Sequence, residues 1–242
     1  MDYRKQIYDC YVSLWQNGAS SFDEEASRRW GRAYRFFLRR VLPENKNAAI
    51  LDLACGGGKL LHLFKSMGYS NVKGVDISPE QVTLARQVCS DVTLSDAVEY
   101  LKAHEAEFDF IVGLDIVEHF RKEEVLTFLQ AIRSALKENG RLVLQTPNSA
   151  SLAGAAMQFG DFTHEIGFTP GCLENILRLT GFTNYEAWEL GPAPHGFLST
   201  IRFGLWQIIR TGFLVYDFVE MGGQKHPVYT RVFLASATKN YR

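Results

Sequence analysis

The chain has 242 residues, 46% of them hydrophobic and 22% charged, with a formal net charge of −1. This composition suits one large folded unit with room for insertions, and the charge excludes a broad nucleic-acid footprint. Cys10, Cys55, Cys89 and Cys172 are scattered without a CxxC pair, which points away from a disulfide framework or zinc module and towards a reducing compartment. The opening MDYRKQIYDCYVSLW lacks a basic stretch followed by an apolar one, so no signal peptide is expected. No apolar run reaches the roughly 18 residues of a membrane span, so the expected location is the cytoplasm.

Residues 3–42 read as helical, because Trp30, Tyr34, Phe37, Leu38 and Val41 recur at helical spacing before Pro43. AAILDLA (48–54) is a short apolar run stopping at CGGG, the pattern of a buried strand and a tight turn. Leu60, Leu61, Phe64 and Met67 then share a helical face, ended by Gly68. NVKGVD (71–76) is a second strand, and Ser78-Pro79-Glu80-Gln81 carries N-cap and N1 signals for the next helix. DVTL (91–94) and FDFIVGL (108–114) are the third and fourth strands. Val125, Phe128, Leu129, Ile132 and Leu136 form an amphipathic helix stopping near Gly140, and RLVLQT (141–146) is the fifth strand. A helix opens at Thr169-Pro170 and stops at Gly181. TNYEAWEL (183–190) and VYTRVFLASAT (228–238) read as a final antiparallel pair, and the stretch between them is too long for a hairpin loop.

Strands alternating with helices predict an α/β, doubly wound, mostly parallel sheet covered on both faces. Right-handed crossovers bring the loops after residues 54, 76, 94, 114 and 146 to one edge, where such sheets bind ligands. Two of those loops carry the chemistry of a nucleoside site. LDLACGGGKL (51–60) joins a strand to a helix, so backbone can approach a ligand at a helix N-terminus. Asp76 ends the next strand, where a carboxylate can accept from two ribose hydroxyls. The nicotinamide fingerprint fails at its third glycine, which is Leu61, and a P-loop fails at Leu53 and Leu60.

The pattern resembles the S-adenosylmethionine motif of class I methyltransferases, and the resemblance continues in order over about 48–190. GVDIS (74–78) is similar to their second motif, SDAVEYL (95–101) to the segment whose Asp-Ala faces the adenine, and FDFIVGLDIVEHF (108–120) to their fourth-strand motif. LKENGRLVLQTPN (136–148) is like the approach to the fifth strand. Ala54 stands where the family commonly has Gly. The resemblance implies a seven-stranded Rossmann-like domain over 1–242. Its expected parts are an N-terminal helical lid (1–43), a cofactor-binding core (48–190), an insertion (191–227) and a last strand (228–238). It implies S-adenosylmethionine as cofactor and S-adenosylhomocysteine as product. Asp52, Ala54, Gly56 and Gly58 would shape the loop around the methionine part, Asp76 and Ile77 would meet the ribose, Asp96 and Ala97 the adenine, and the backbone at Leu114 the amino-acid end. An NAD-dependent dehydrogenase and a cofactor-binding subunit without activity are the readings from other classes.

Methyl transfer to a hydroxyl usually needs a base, which adds roughly 10²–10⁴-fold. Asp115, Glu118 and His119 follow the fourth strand, and His119 is the natural base because its ordinary pKa lies near neutrality. Similar EH segments occur in ubiquinone-type, sugar and glycan methyltransferases. Glu118 reads as a pocket-shaping or solvated residue. GDFTHEIGFTP (160–170) gathers Asp161, His164 and Glu165 after the fifth strand. The functional reading puts His164 beside the acceptor as base or hydrogen-bond partner, with Asp161 or Glu165 orienting it. The alternative is a loop satisfying its own backbone. No metal is expected, since metal-dependent members gather more carboxylates.

The expected acceptor is a small molecule, sugar or glycan hydroxyl, with an amine less favoured and a quinone or lipid-like hydroxyl second. No nucleic-acid partner is expected. In HGFLSTIRFGLWQIIRTGFLVYDFVEMGG (195–223), Ile201, Leu205, Ile208 and Ile209 share a face, while Phe203, Trp206 and Phe213 add apolar surface elsewhere, with Arg202 and Arg210 between. That helix reads as a lid, a homodimer surface or a peripheral membrane contact. Tyr11, Trp15 and Trp30 would complete the lid from the N-terminal side.

Overall fold

A computed structural model describes residues 3–15, 18, 20–223 and 227–240, leaving aside the side chains of Lys5 and Trp15. Strands β1 (Ile50–Leu53), β2 (Val72–Asp76), β3 (Val92–Leu94), β4 (Phe108–Leu114), β5 (Leu136–Pro147), β6 (Phe182–Glu189) and β7 (Val232–Lys239) form one sheet of order β3-β2-β1-β4-β5-β7-β6. The first five run parallel, and β7 lies antiparallel between β5 and β6. The predicted doubly wound sheet, with its late antiparallel pair, is the fold observed.

The apolar runs explain the layering. All four residues of β1 are buried, as expected of a strand covered on both faces. Strand β4 feeds both cores, with a register shift between Phe108 and Phe110 that puts Phe108 on the same side as Ile111. Phe108 and Ile111 pack with α6 (Ala97–Lys102), α7 (Lys122–Ala135) and α9 (Pro170–Leu179). Phe110 and Val112 pack with α3 (Glu24–Leu38), α4 (Lys59–Ser66) and α5 (Pro79–Ala85). The predicted caps hold. Ser78 Oγ accepts from the Gln81 amide, and Thr169 Oγ1 from that of Cys172.

Two sequence expectations need correction, while the expected helical insertion is found. The helical stretch at 3–42 is broken into α1 (Tyr3–Tyr8), α2 (Tyr11–Trp15) and α3, the last started by Asp23 accepting from the Ala26 amide. Helix α7 ends at Ala135 rather than near Gly140. Leu136 is already paired with Phe108, and Asn139 takes a left-handed φ of 61°. The long stretch before the last strand is one 25-residue helix, α10 (Phe197–Met221). It docks by a polar face: Trp206 Nε1 donates to Glu189 (3.0 Å), Arg210 pairs with the same carboxylate (3.3 Å), and Asp217 accepts from Tyr229. Ile201, Leu205, Ile208 and Ile209 do share a face, but that face points outward. The side chain of Trp15 lies outside the described residues.

Candidate active site

The loops after β1, β2, β4 and β5 meet at one edge of the sheet, under α3. There Trp30 and Tyr34 of α3, with Asp52, Ala54, Gly56, Leu114 and Asp115, line a cavity of about 400 Å³. The floor is made of strand ends and the roof is a stacked Trp30–Tyr34 pair, centroids 3.8 Å apart. Loop and strand ends are locked by backbone. The Asp76 carboxylate accepts from the amides of Gly56 and Ser78, both at 2.8 Å. Gly58 caps α4 at φ 87°, and a Cβ there would stand 2.8 Å from Val88 Cγ2 and 3.0 Å from the Ala85 Cα, so only glycine allows this approach of α4 to α5.

Charge in the cavity is one-sided. Asp52 is 2% exposed and its Oδ2 has no partner. Burial first, and the nearby Asp76 second, push its carboxyl well above the usual range. Asp76 is also raised by burial, with the Ser78 and Gly56 amides offsetting part of the effect. Asp115 sits at a left-handed φ of 53° on the cavity wall. It touches solvent through the cavity mouth, yet protein surrounds it closely enough that burial raises its carboxyl, against the opposing pull of Gln145. Gln145 Nε2 donates to both Asp115 oxygens (2.9 and 2.8 Å), while Gln145 Oε1 accepts from Tyr34 OH at 2.6 Å. An unpaired buried carboxylate in such a cavity calls for a cationic ligand group.

Asp96 and Ala97 lie at the end of β3, next to Asp76, whose carbonyl accepts from the Ser95 amide. One Asp96 oxygen caps α6, accepting from Val98 and Glu99. Ile77 beside them is 46% exposed. These three residues, like Asp76, are not among those that line the cavity.

The acceptor side is built from three separated segments. A single 3₁₀ turn, Val117–His119, follows β4. The 161–168 segment folds back over it: the Glu165 and Ile166 amides donate to the Glu118 carbonyl, and Phe168 forms a bridge to Asn148 after β5. Tyr8 of α1 packs edge-on against His119, centroids 6.4 Å apart. His119 and His164 meet edge to face at 4.8 Å. His119 Nδ1 lies 2.9 Å from Thr163 Oγ1, whose own hydroxyl donates to Asp161 at 2.6 Å. The Thr163 hydroxyl proton is thus spent on Asp161, so Nδ1 carries the donating proton and Nε2 the lone pair. Burial, and then the His164 charge, lower His119 to about 4. Burial would raise Asp161, but the Thr163 hydroxyl and amide outweigh it and hold that carboxyl below its ordinary value.

The sequence expectation for orienting groups needs revision. His164 is held by the carbonyls of Met157 and Gln158, at 3.1 and 3.2 Å from Nδ1, not by Asp161 or Glu165. Glu165 instead accepts from Tyr3 and lies 3.6 Å from Arg121, tying α1 to the rim. Glu118 is not solvated. It is fully buried, Oε2 accepts from Thr146 at 3.0 Å, and Oε1 has no partner. Burial, with Asp115 second, raises it well above the usual carboxyl range. Glu118, His119 and His164 each offer one ligand atom within 4.8 Å of the others, a donor set that a divalent ion of the zinc type could use. Thr163, Gln145 and Tyr34 were missed in the sequence. The readable signal was Gln145-Thr146, polar residues at the C-terminal end of a buried strand, where topology puts ligands.

A family profile describing a methyltransferase domain matches residues 22–187. The chain is 34% identical over 111 residues to a mitochondrial ubiquinone biosynthesis O-methyltransferase of Schizosaccharomyces pombe, covering 43% of this chain and 39% of that protein. It is 26% identical over 130 residues to the cyclopropane-fatty-acyl-phospholipid synthase of Escherichia coli K12, covering 54% and 33%. The chain therefore spans between a third and two fifths of the length of these relatives. Among solved structures, an S-adenosylmethionine-dependent methyltransferase from Archaeoglobus fulgidus superposes with a TM-score of 0.65 at 25% identity, covering 89% of this chain and 97% of that one. S-adenosylmethionine fits the cavity on this chain's own features: the unpaired Asp52 carboxylate suits a cation, the Gly56–Gly57 backbone approaches closely, and Asp76 ends the second strand. The nicotinamide alternative falls with these matches. The chain belongs to the class I S-adenosylmethionine-dependent methyltransferases.

Proposed function

We propose that the protein methylates a hydroxyl of a small-molecule acceptor, with His119 taking the hydroxyl proton. Bound S-adenosylmethionine would supply an activated methyl group. The chain supplies alignment, exclusion of water and a proton acceptor. The observation that carries this reading is the order Asp161–Thr163–His119. It fixes the imidazole with Nε2 as acceptor, and its depressed pKa of about 4 keeps it unprotonated at neutral pH. As Nε2 gains the proton, the ionised Asp161 stabilises the imidazolium through the shared Thr163 hydroxyl. His164 walls the acceptor side and can serve as a second hydrogen-bond partner. Glu118, buried beneath both rings, is the support under the two imidazoles. Asp52, Gly56, Asp76, Ile77, Asp96, Ala97 and Leu114 are the residues we assign to the cofactor.

The relatives named as ubiquinone biosynthesis O-methyltransferases support a quinone-type or other lipid-like hydroxyl; a sugar or glycan hydroxyl is the second class. A transfer assay with methyl-labelled cofactor over isoprenoid phenols, nucleotide sugars, polysaccharides and amines tests the reading. Label should appear on a hydroxyl. Transfer to amines alone sinks it, and so does an unchanged rate in His119→Gln. Calorimetry with S-adenosylhomocysteine and NAD separates the cofactors, and EDTA treatment tests the Glu118–His119–His164 donor set. Activity that survives EDTA shows that turnover needs no ion there.

A further inference from the structure

The roof of the cofactor cavity has a chemistry of its own. Trp30 and Tyr34 stand four residues apart on α3, so they share one face of the helix. Their rings stack with centroids 3.8 Å and planes 21° apart. The stack is held in place from behind. Phe37 meets the Tyr34 ring edge-on at 6.1 Å, and Tyr34 OH donates to Gln145 Oε1 at 2.6 Å. Both rings pack against the core that contains Phe37 and Leu38. Below them the cavity is lined by the carboxylates of Asp52 and Asp115. Among the described residues of that lining, Lys59 is the one cationic side chain, and it is exposed. A space bounded by anions on the floor and aromatic rings on the roof suits positive charge from two sides.

We propose that the Trp30–Tyr34 pair is the sulfonium-recognising element of the site, a cation–π roof that raises affinity for S-adenosylmethionine relative to S-adenosylhomocysteine. The cofactor carries two cations that differ in kind. Its ammonium has N–H groups, and a hydrogen-bond acceptor orients it; Asp52 Oδ2, buried without a partner, is such an acceptor. Its sulfonium has no proton to donate, so no acceptor orients it. An electron-rich ring face attracts such a centre and replaces its water without demanding a hydrogen bond. The roof thus answers the charge that the reaction removes. Methyl transfer breaks the sulfur–methyl bond, leaves that electron pair on sulfur and turns the cation into a neutral thioether. Product and substrate share the ammonium, and the sulfur charge is what tells them apart. This inference rests on the cofactor and is independent of which acceptor is methylated.

Calorimetric titration of the full chain with S-adenosylmethionine and with S-adenosylhomocysteine tests this with no acceptor present. Trp30→Leu and Tyr34→Leu should weaken S-adenosylmethionine more than S-adenosylhomocysteine, shifting the ratio of the two affinities by roughly threefold to thirtyfold between them. Tyr34→Phe keeps the ring, gives up the bond to Gln145, and should leave that ratio in place. A second series substitutes ring-fluorinated tryptophans at position 30 and, separately, ring-fluorinated phenylalanines at position 34. Fluorine drains the ring face of electron density while the packing is kept, so this series reads the roof even where a leucine variant fails to fold. S-adenosylmethionine affinity should fall stepwise with each added fluorine at one or both positions, and S-adenosylhomocysteine affinity should stay level. A flat series at both positions overturns the proposal, and so does a fall shared equally by the two ligands, which would put the ammonium under the rings. Failure to label any hydroxyl in the transfer assay bears on His119 and the acceptor, whereas these titrations read the cofactor alone.

Discussion

The two halves of the site hold their groups in different ways. On the cofactor side, position comes from backbone: strand ends, a glycine loop, and amides donated to Asp76. On the acceptor side, it comes from side chains borrowed across the chain, where residues near 8, 119 and 163 meet. A backbone-built half tolerates side-chain changes that keep its turns, whereas a half built from a relay fails at any link. Changes on the acceptor side should therefore alter turnover and leave cofactor affinity alone, and changes on the cofactor side should do the reverse.

The largest expected effect is His119→Gln, which should lower kcat by roughly 10²–10⁴-fold with S-adenosylhomocysteine affinity unchanged by calorimetry; a parallel loss of affinity would erase the distinction between the halves. Second is the pH dependence of stability. In the folded chain His119 binds its proton only below about 4, whereas its ordinary value is 6.5. Between these values the unfolded chain holds more protons, so stability drops as pH falls through that window. Denaturant titrations at both ends should show wild type losing about 3 kcal/mol more than His119→Gln. Third, Asp76→Ala removes the acceptor of two loop amides and should weaken S-adenosylhomocysteine binding roughly 10- to 100-fold. Next, Thr163→Val cuts the link from Asp161 to His119. It should cost about tenfold in kcat and leave KM for the cofactor in place, a turnover effect without a binding effect. The smallest is Ala54→Gly. Ala54 sits at φ 53°, so glycine should add about 0.5 kcal/mol in thermal unfolding, the relief of left-handed strain outweighing the unfolded-state entropy that glycine adds against folding.

The same division governs what the sequence could reveal. Strand ends and glycine turns follow from local patterns, so Asp52, Gly56, Leu114 and Asp115 were placed at one edge from apolar runs alone, and the structure gathers them there. His119 and His164 were each legible, but their partners were not. Thr163 matters only because the 161–168 segment folds back on the Glu118 carbonyl, a contact between residues 44 or more apart. Periodicity gave α10 a face but could not say which way it points, because spacing records that residues share a stripe and not what the stripe meets. The polar residues that dock it, Trp206, Arg210 and Asp217, find partners near residues 189 and 229, out of reach of any local rule.

Gln145 has one amide and two clients. Its oxygen is taken by Tyr34 on the roof and its nitrogen by Asp115 on the wall, so the amide cannot turn round without losing both. If α3 lifts, Gln145 loses the partner that fixes its oxygen, and the nitrogen that grips Asp115 is no longer held in place. One side chain thus ties the roof to the wall, so a change at Tyr34 reaches Asp115 although the two residues do not bond to each other.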